Sequence, residues 1–425
     1  MLFKISLRNV FRYKRRTFIT ILSMAVGFMS FVFFDSLFLG IDKMLVEQLM
    51  KLQDSSIVIY SKEYDEDKKS YPLDRPIKDI NEILKISSSI KNIEALTPRT
   101  QFLCEVIYLG KSKHIIATVI EPKTDVQVFD LHKNLKEGKF LDDTSALEIL
   151  VGSALAEELN IKVKDTITLS AYTKYKMLNA LDFVVCGILE TSVPLINEST
   201  VVINFKSAEK LLDLEGDVNS IHIKVPWNKR ESISGYFNKV SKIAKQFKEG
   251  LSDDYKVYTF KDLYQEFMLL MKQKRISSFI IVFFILLISA VGIVNTMLMA
   301  VYERVKEIGI MMAMGFKPKQ VRNLFLLEGL IIGLFGSALG AFLGLLSNLW
   351  LIYKGWNLEI MYGEKITGLK ASQLGMPVWG VIYGEWNIYA FVFCFCFCIL
   401  IAVISAYFPS RFASKLTVTD CLKFI

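Results

Sequence analysis

Histidine is almost missing from this chain, and its cysteines are badly placed for metal or disulfide chemistry. The three histidines, His114, His132 and His222, are scattered without the spacing of a metal site. Of the six cysteines, Cys104 and Cys186 lie in a polar middle stretch, while Cys394, Cys396 and Cys398 fall inside an apolar run. That distribution excludes a disulfide framework. The last three alternate around a helix, so they cannot converge on one ion and read as small apolar packing residues. Also missing are a G-x-x-x-x-G-K-S/T phosphate loop, an H-E-x-x-H pair and a nucleophile elbow. Acidic pairs occur, but no spacing singles one out. No catalytic residue, metal ligand or cofactor site is therefore assigned, and any work must draw its energy from a partner.

What the chain does have is apolar length. Hydrophobic residues make up 52% and aromatics 12%, with a mean hydropathy of +0.37. Charged residues still amount to 22%, so a large water-facing part accompanies the apolar one. The net charge of +8 is concentrated beside apolar runs. That pattern fits anionic lipid and topology control, and not nucleic acid.

Four stretches are long enough for about 30 Å of hydrocarbon, which takes about 20 apolar residues. They are expected at 17–40, 276–302, 323–353 and 386–410, with Asp35 near the outer end of the first. The first is too long for a signal peptide, and no clean small-residue cleavage site follows, so it reads as an uncleaved anchor. Lys4, Arg8, Arg12, Lys14, Arg15 and Arg16 precede it without an acid. The connection 303–322 carries Arg304, Lys306, Lys317, Lys319 and Arg322, whereas 354–385 has only Lys354, Lys365 and Lys370. Positive charge favours the cytoplasm. Both termini (1–16 and 411–425) are thus expected inside, and 41–275 and 354–385 outside. Lys272, Lys274 and Arg275 sit on the wrong side, which a long translocated domain tolerates.

Residues 1–16 place Leu2, Phe3, Leu7, Val10 and Phe11 on one stripe, as in an amphipathic helix lying at the membrane surface and leading into the first span. Within 41–275, β-branched runs predict strands at 56–60, 104–109, 115–120, 165–169, 183–189, 200–203 and 220–225. Helical patterns lie at 77–87, 153–158, 206–212 and 232–247. The expected fold is a multi-pass α-helical membrane protein with four transmembrane helices and an α+β extracytoplasmic domain, in two lobes, inserted between helices 1 and 2. The run Tyr64–Lys69 reads as a solvated loop.

In the third span Gly329, Gly333, Gly336, Gly340 and Gly344 fall within an arc of roughly 80° at about 100° per residue. Such a stripe admits another backbone closely, either from this chain or from a second subunit. Asn295, inside the second span, calls for a hydrogen bond to a neighbouring helix, since an unpaired amide there is costly. The connection Glu303–Phe316 begins charged, continues apolar and stops at Gly315. It reads as a short amphipathic helix at the membrane surface.

Taken together, Asn295, the pair Glu303 and Arg304, then Glu307, Ile308 and Gly309, then Ala313, Gly315 and Glu328-Gly329 resemble the FtsX-like or MacB-like family of ABC transporter permeases. The N-terminal stretch Leu7–Thr17 and the C-terminal Ala406–Ala413, with Val418 and Leu422, fit as well, although Thr417 stands where that family usually has proline. Glu137-Gly138-Lys139, Gly152, Ala156, Leu159 and 165–169 are similar to the lipoprotein-releasing branch.

The resemblance implies a permease subunit of the bacterial inner membrane that works by mechanotransmission. An ATPase dimer, holding the ATP and Mg, would grip 303–315, and the helices would act as levers on the outer domains of this and a second permease subunit. The substrate would be a lipoprotein or another membrane-embedded molecule. In lipoprotein-releasing relatives one subunit carries a hairpin that recruits a periplasmic chaperone. The corresponding segment, from Ala171 and Tyr172 to Leu181, is short and lacks proline, which argues against that role here. The alternatives are a MacB-type drug or peptide efflux permease, and an FtsX-like regulator of cell-wall hydrolases. The first carries a fused N-terminal ATPase, for which 16 residues leave no room, and the second has a smaller outer domain than 41–275.

Overall fold

The long apolar runs become four long helices. The computed structural model describes residues 2–12, 14–143, 147–228, 231–357, 381–418 and 421. These form two units, one from 1–42, 269–358 and 381–425, the other essentially from 43–268. Of the sequence expectations, Lys365, Lys370 and Leu422 lie outside the described residues.

In the membrane unit a short N-terminal helix, Leu2–Arg12, precedes four helices long and apolar enough to cross a bilayer. They are Lys14–Leu52, Gln265–Glu303, Pro318–Tyr353 and Ile388–Lys415, here called the first to fourth spans. The first and second run well past the expected ends at 40 and 276, because no helix breaker follows the apolar stretch. The fourth continues through Pro409 to Lys415.

The glycine stripe packs within the chain. A Cβ on Gly329 or Gly333 would stand 2.3 or 2.7 Å from the Cβ of Ala406 or Ala402 on the fourth span. On Gly336 and Gly340 it would meet Met24 and Phe28 of the first. Small residues thus bring three helices together where lipid gives no hydrophobic drive. Polar pairs pin the same unit: Thr20 to Thr296 at 3.0 Å, Ser36 to Asn348 at 2.6 Å, and Asn387 to Asp35 at 2.8 Å. Lys274, whose charge sat on the wrong side of the topology rule, pairs with Asp42.

Asn295 departs from expectation. It is exposed on the second span, and Thr296 makes the interhelical hydrogen bond instead. One position along a helix turns a side chain about 100°, enough to move it off the packed face.

The inserted domain is α+β, built on a ten-stranded sheet. Its strands are β1 (Ile57–Ser61), β2 (Ala95–Tyr108), β3 (Lys111–Ile120), β4 (Leu135–Gly138) and β5 (Glu148–Gly152). They continue with β6 (Thr166–Tyr172), β7 (Leu178–Leu189), β8 (Thr200–Asn204), β9 (Ser220–Lys224) and β10 (Tyr255–Thr259). The order is β10-β1-β9-β2-β3-β8-β5-β7-β4, and β6 pairs with both β7 and β2. The pairings of β2, β3, β8, β5, β7 and β6 therefore close into a ring, which hides strand edges. Alternate residues of the ring, including Phe102, Val106, Ala117, Val151, Ile167 and Phe183, form one buried core.

Leu109 and Gly110, with φ of 47° and 78°, make the tight β2–β3 turn, whose twist suits a two-residue hairpin. The 64–69 run is solvated only in part, at Glu66, Asp67 and Lys69. Lys62–Glu66 is helical, Tyr64 is buried, and Lys68 lies 4.1 Å over the Tyr60 ring. Its aromatic neighbours offer a buried surface that its charge count concealed. Cys104 and Cys186 are both free and buried.

Candidate functional site

The loop joining the second and third spans folds into a short helix, Val305–Ala313, and here the charged motif residues converge. Arg304 is buried, with Nη1 donating to both Glu328 carboxylate oxygens at 2.9 and 3.2 Å. Its Nε donates to Glu307 Oε2 at 3.0 Å, and its guanidinium lies 5.4 Å from the Phe325 ring centre. Glu328 also accepts from Asn9 Nδ2 at 2.7 Å. Arg12 and Arg16 reach Glu307 and Glu303 at 2.7 and 3.0 Å.

The N-terminal helix is therefore clasped to the loop helix and to the start of the third span. Ser6 Oγ adds a hydrogen bond to the Leu324 carbonyl at 3.1 Å. A buried arginine needs such full compensation, because an unpaired charge in that setting is strongly unfavourable. At Glu307, burial works against ionisation, but Arg12 and Arg304 outweigh it and hold the carboxyl below its usual range.

This geometry redistributes the expected roles. Of the charges in the segment 303–315 expected to be gripped by the ATPase, Arg304 is buried, while Glu303 and Glu307 are engaged within the chain. Ile308 is fully buried, and Met311 and Met312 are half-buried. Gly309 is also buried; a Cβ there would stand 2.6 Å from that of Cys421. The face left open carries Lys306, Ile310, Ala313 and Met314. Gly315, at φ 97°, turns the chain, and Phe316 N closes on the Met311 carbonyl at 3.1 Å.

Sequence reading missed Ile310 and Met314 as the outward apolar pair, and Asn9, Arg12 and Arg16 as partners of the loop. The signal was present in the N-terminal stretch Leu7–Thr17, but its partners lie about 300 positions away, as with the 319 between Asn9 and Glu328.

In the inserted domain the β6–β7 hairpin is short. Ala171 is buried opposite Asn179, and Leu181 pairs with Leu169. Tyr172 and Leu178 close its end and are exposed. Lys174 in the tip is tied to Asp217 and Glu215 at 2.6 and 3.1 Å.

Comparison with known proteins agrees with this layout. The family model of the FtsX-like permease C-terminal matches residues 279–418, and that of the MacB-like periplasmic core domain matches 17–231. An ABC transporter permease of Methanocaldococcus jannaschii is 27% identical, over 98% of this chain and 96% of its own. The lipoprotein-releasing system transmembrane protein LolC of Neisseria meningitidis is 21% identical, over 96% of this chain and 94% of its own. The macrolide export ATP-binding/permease protein MacB of Haemophilus ducreyi is 28% identical, but over only 33% of this chain and 17% of its own. With a buried Arg304–Glu328 pair holding its loop helix, and with both family regions accounted for, the chain belongs to the FtsX-like and MacB-like ABC transporter permeases.

Proposed function

We propose that this chain is a permease subunit through which a separate ATPase dimer, carrying ATP and Mg, acts on a membrane-embedded substrate. The observation that carries the reading is the loop helix, fixed on one face by Arg304, Glu307 and Glu328 and open on the other at Lys306, Ile310 and Met314. A handle must be both rigidly attached and accessible, and this helix is both. The apolar residues Ile310 and Met314 anchor the ATPase, and Lys306 supplies charge at the rim.

Lipoprotein release is the favoured task. The likeness to LolC extends along nearly the whole chain, while that to MacB is partial. A membrane-facing groove of about 440 Å³, lined by Phe31, Phe279, Phe283, Phe393 and Phe397, suits an acyl chain. A second permease subunit covers the exposed face of the second span, where Asn295 finds its partner. The short hairpin at Tyr172 leaves chaperone recruitment to that second subunit. The N- and C-termini and the loop helix lie in the cytoplasm, by the distribution of Lys and Arg.

The test is co-purification of the ATPase together with a release assay on a triacylated lipoprotein in proteoliposomes. Ile310→Asp with Met314→Asp should abolish both ATPase capture and release while the protein still inserts. Full capture by that variant would reject the handle. ATP-driven movement of a macrolide, with no lipoprotein release, would favour the efflux reading.

A further inference from the structure

The inserted domain contains a cleft of about 610 Å³ that the coupling scheme does not use. Its floor is the outward face of the strand ring, where Gln101, Thr118 and Thr200 alternate with Ile116 and Val202. The opposite face of the same strands carries the packed core. The size is that of a small-molecule site, and the floor offers hydrogen-bonding groups beside apolar ones.

Two charges of opposite sign line this cleft without a charged partner among the described residues. Asp54 accepts from the Tyr264 hydroxyl at 2.7 Å through Oδ2, while its Oδ1 lies 4.0 Å from His222 Nδ1. His222 is buried and Nδ1 has no hydrogen-bond partner. Burial, then Arg99 and Lys68, keep that imidazole neutral, so it offers Asp54 no charge. Lys68 rests 4.1 Å over the Tyr60 ring and 5.8 Å from that of Tyr258, with no carboxylate within ion-pair distance. The other charges lining the cleft are set differently. Arg99 is locked to Asp125 at 2.7 and 3.0 Å, Asp67 faces Arg75 at 3.8 Å, Asp65 accepts from the Tyr258 hydroxyl at 2.6 Å, and Glu66 and Lys69 are exposed. A half-buried carboxylate and a half-buried ammonium left over in one cavity are what a ligand bearing both charges would complete.

We propose that the cleft binds a small zwitterionic, peptide-like molecule, its ammonium on Asp54 and its carboxylate on Lys68, with apolar side chains against Ile116 and Val202. The amide and hydroxyl groups of Gln101, Thr118 and Thr200 serve its backbone. The site is independent of what the membrane helices move, and its test does not involve the ATPase.

The probe is the dipeptide leucyl-leucine, titrated calorimetrically into the full chain in lipid nanodiscs with empty nanodiscs subtracted. N-acetyl-leucyl-leucine amide, which lacks both charges, is the control. Saturable binding of the dipeptide alone is expected. It should weaken about tenfold or more in Asp54→Asn and in Lys68→Gln, the loss of one charge-assisted hydrogen bond each. Asp54→Asn keeps the side-chain shape, Lys68→Gln keeps a polar side chain without the charge, and unchanged thermal unfolding establishes that both fold. Ser199→Phe, which fills the cleft from its rim, should remove binding altogether. Absence of saturable binding, equal binding of the capped control, or unchanged affinity in Asp54→Asn would each overturn the assignment.

Discussion

Arg304 and Glu328 form a fully buried ion pair, with one guanidinium nitrogen 2.9 and 3.2 Å from the two carboxylate oxygens. It joins the loop helix to the third span, and through Asn9 to the N-terminal helix. Removing Glu328 leaves the buried Arg304 with only the partly exposed Glu307 as its partner, which costs up to about 3–5 kcal/mol. Glu328→Ala should therefore lower the thermal unfolding temperature of the solubilised protein sharply. Glu328→Gln, which retains an acceptor for Arg304 and Asn9, should fall between the two. If Glu328→Ala melts like the parent, the pair does not hold the loop helix.

The glycine stripe makes a contrast within one helix. A Cβ on Gly340 would lie 2.6 Å from the Phe28 Cβ and 3.1 Å from the Ala25 backbone, whereas on Gly344 its nearest neighbour stands at 3.5 Å. Gly340→Ala should force the first and third spans apart, at about 1–3 kcal/mol. Gly344→Ala should be neutral or slightly stabilising, since alanine favours helix by about 1 kcal/mol over glycine. Thermal unfolding in one detergent decides it. Equal effects at the two positions would mean that the stripe is not packed as described.

Run length made the four spans legible, because only a helix satisfies its backbone across hydrocarbon. The 3.6 period likewise exposed the glycine face. Short buried strands were harder. Glu148–Gly152 and Tyr255–Thr259 are five residues each, too brief for alternation to separate them from loop. β2 begins nine residues before its expected start at Cys104, beyond Pro98, which reads as a break although it pairs opposite Ile221. The loop-helix motif was visible, but its orientation was not. Which face of Glu303–Gly315 is buried depends on Asn9, Arg12 and Glu328, and no local pattern reports contacts that distant.

His222 gives the inserted domain a pH dependence. Burial, with Arg99 and Lys68 nearby, holds its pKa in the fold well below the ordinary value of 6.5. Below about pH 6.5 the unfolded chain therefore binds a proton that the folded one refuses, and stability falls as the pH drops from there toward the folded pKa. His222→Gln should flatten that fall relative to the parent. Unfolding followed by tryptophan fluorescence between pH 7.5 and pH 5 tests it, and parallel curves would show that His222 is not the sensitive group.

The proposed topology rests on the basic N-terminal stretch and on the loop carrying Lys306, Lys317 and Lys319, which the distribution of positive charge assigns to the cytoplasm. In a cysteine-free background, Lys317→Cys should resist an impermeant thiol reagent in intact cells, while Asp217→Cys should react. The reverse pattern would invert the assignment of 41–275 to the outside.

The final prediction separates attachment from docking at the loop helix. Glu307 accepts from Arg12 and from Arg304, so reversing its charge breaks contacts within the chain before any partner is involved. Glu307→Arg alone should place three cations together, loosen the N-terminal helix and reduce ATPase capture. The Arg12–Glu307 bond is exposed, with side chains 56% and 41% accessible, so it contributes modestly by itself. Adding Arg12→Glu restores one opposite-charge contact while leaving Arg304 beside a like charge. Capture should thus recover in part in the double variant. If instead Glu307 met the ATPase directly, no substitution of Arg12 would rescue it. Pull-down of the ATPase by the single and double variants distinguishes the two outcomes, and failure of Arg12→Glu to rescue would return Glu307 to the partner interface.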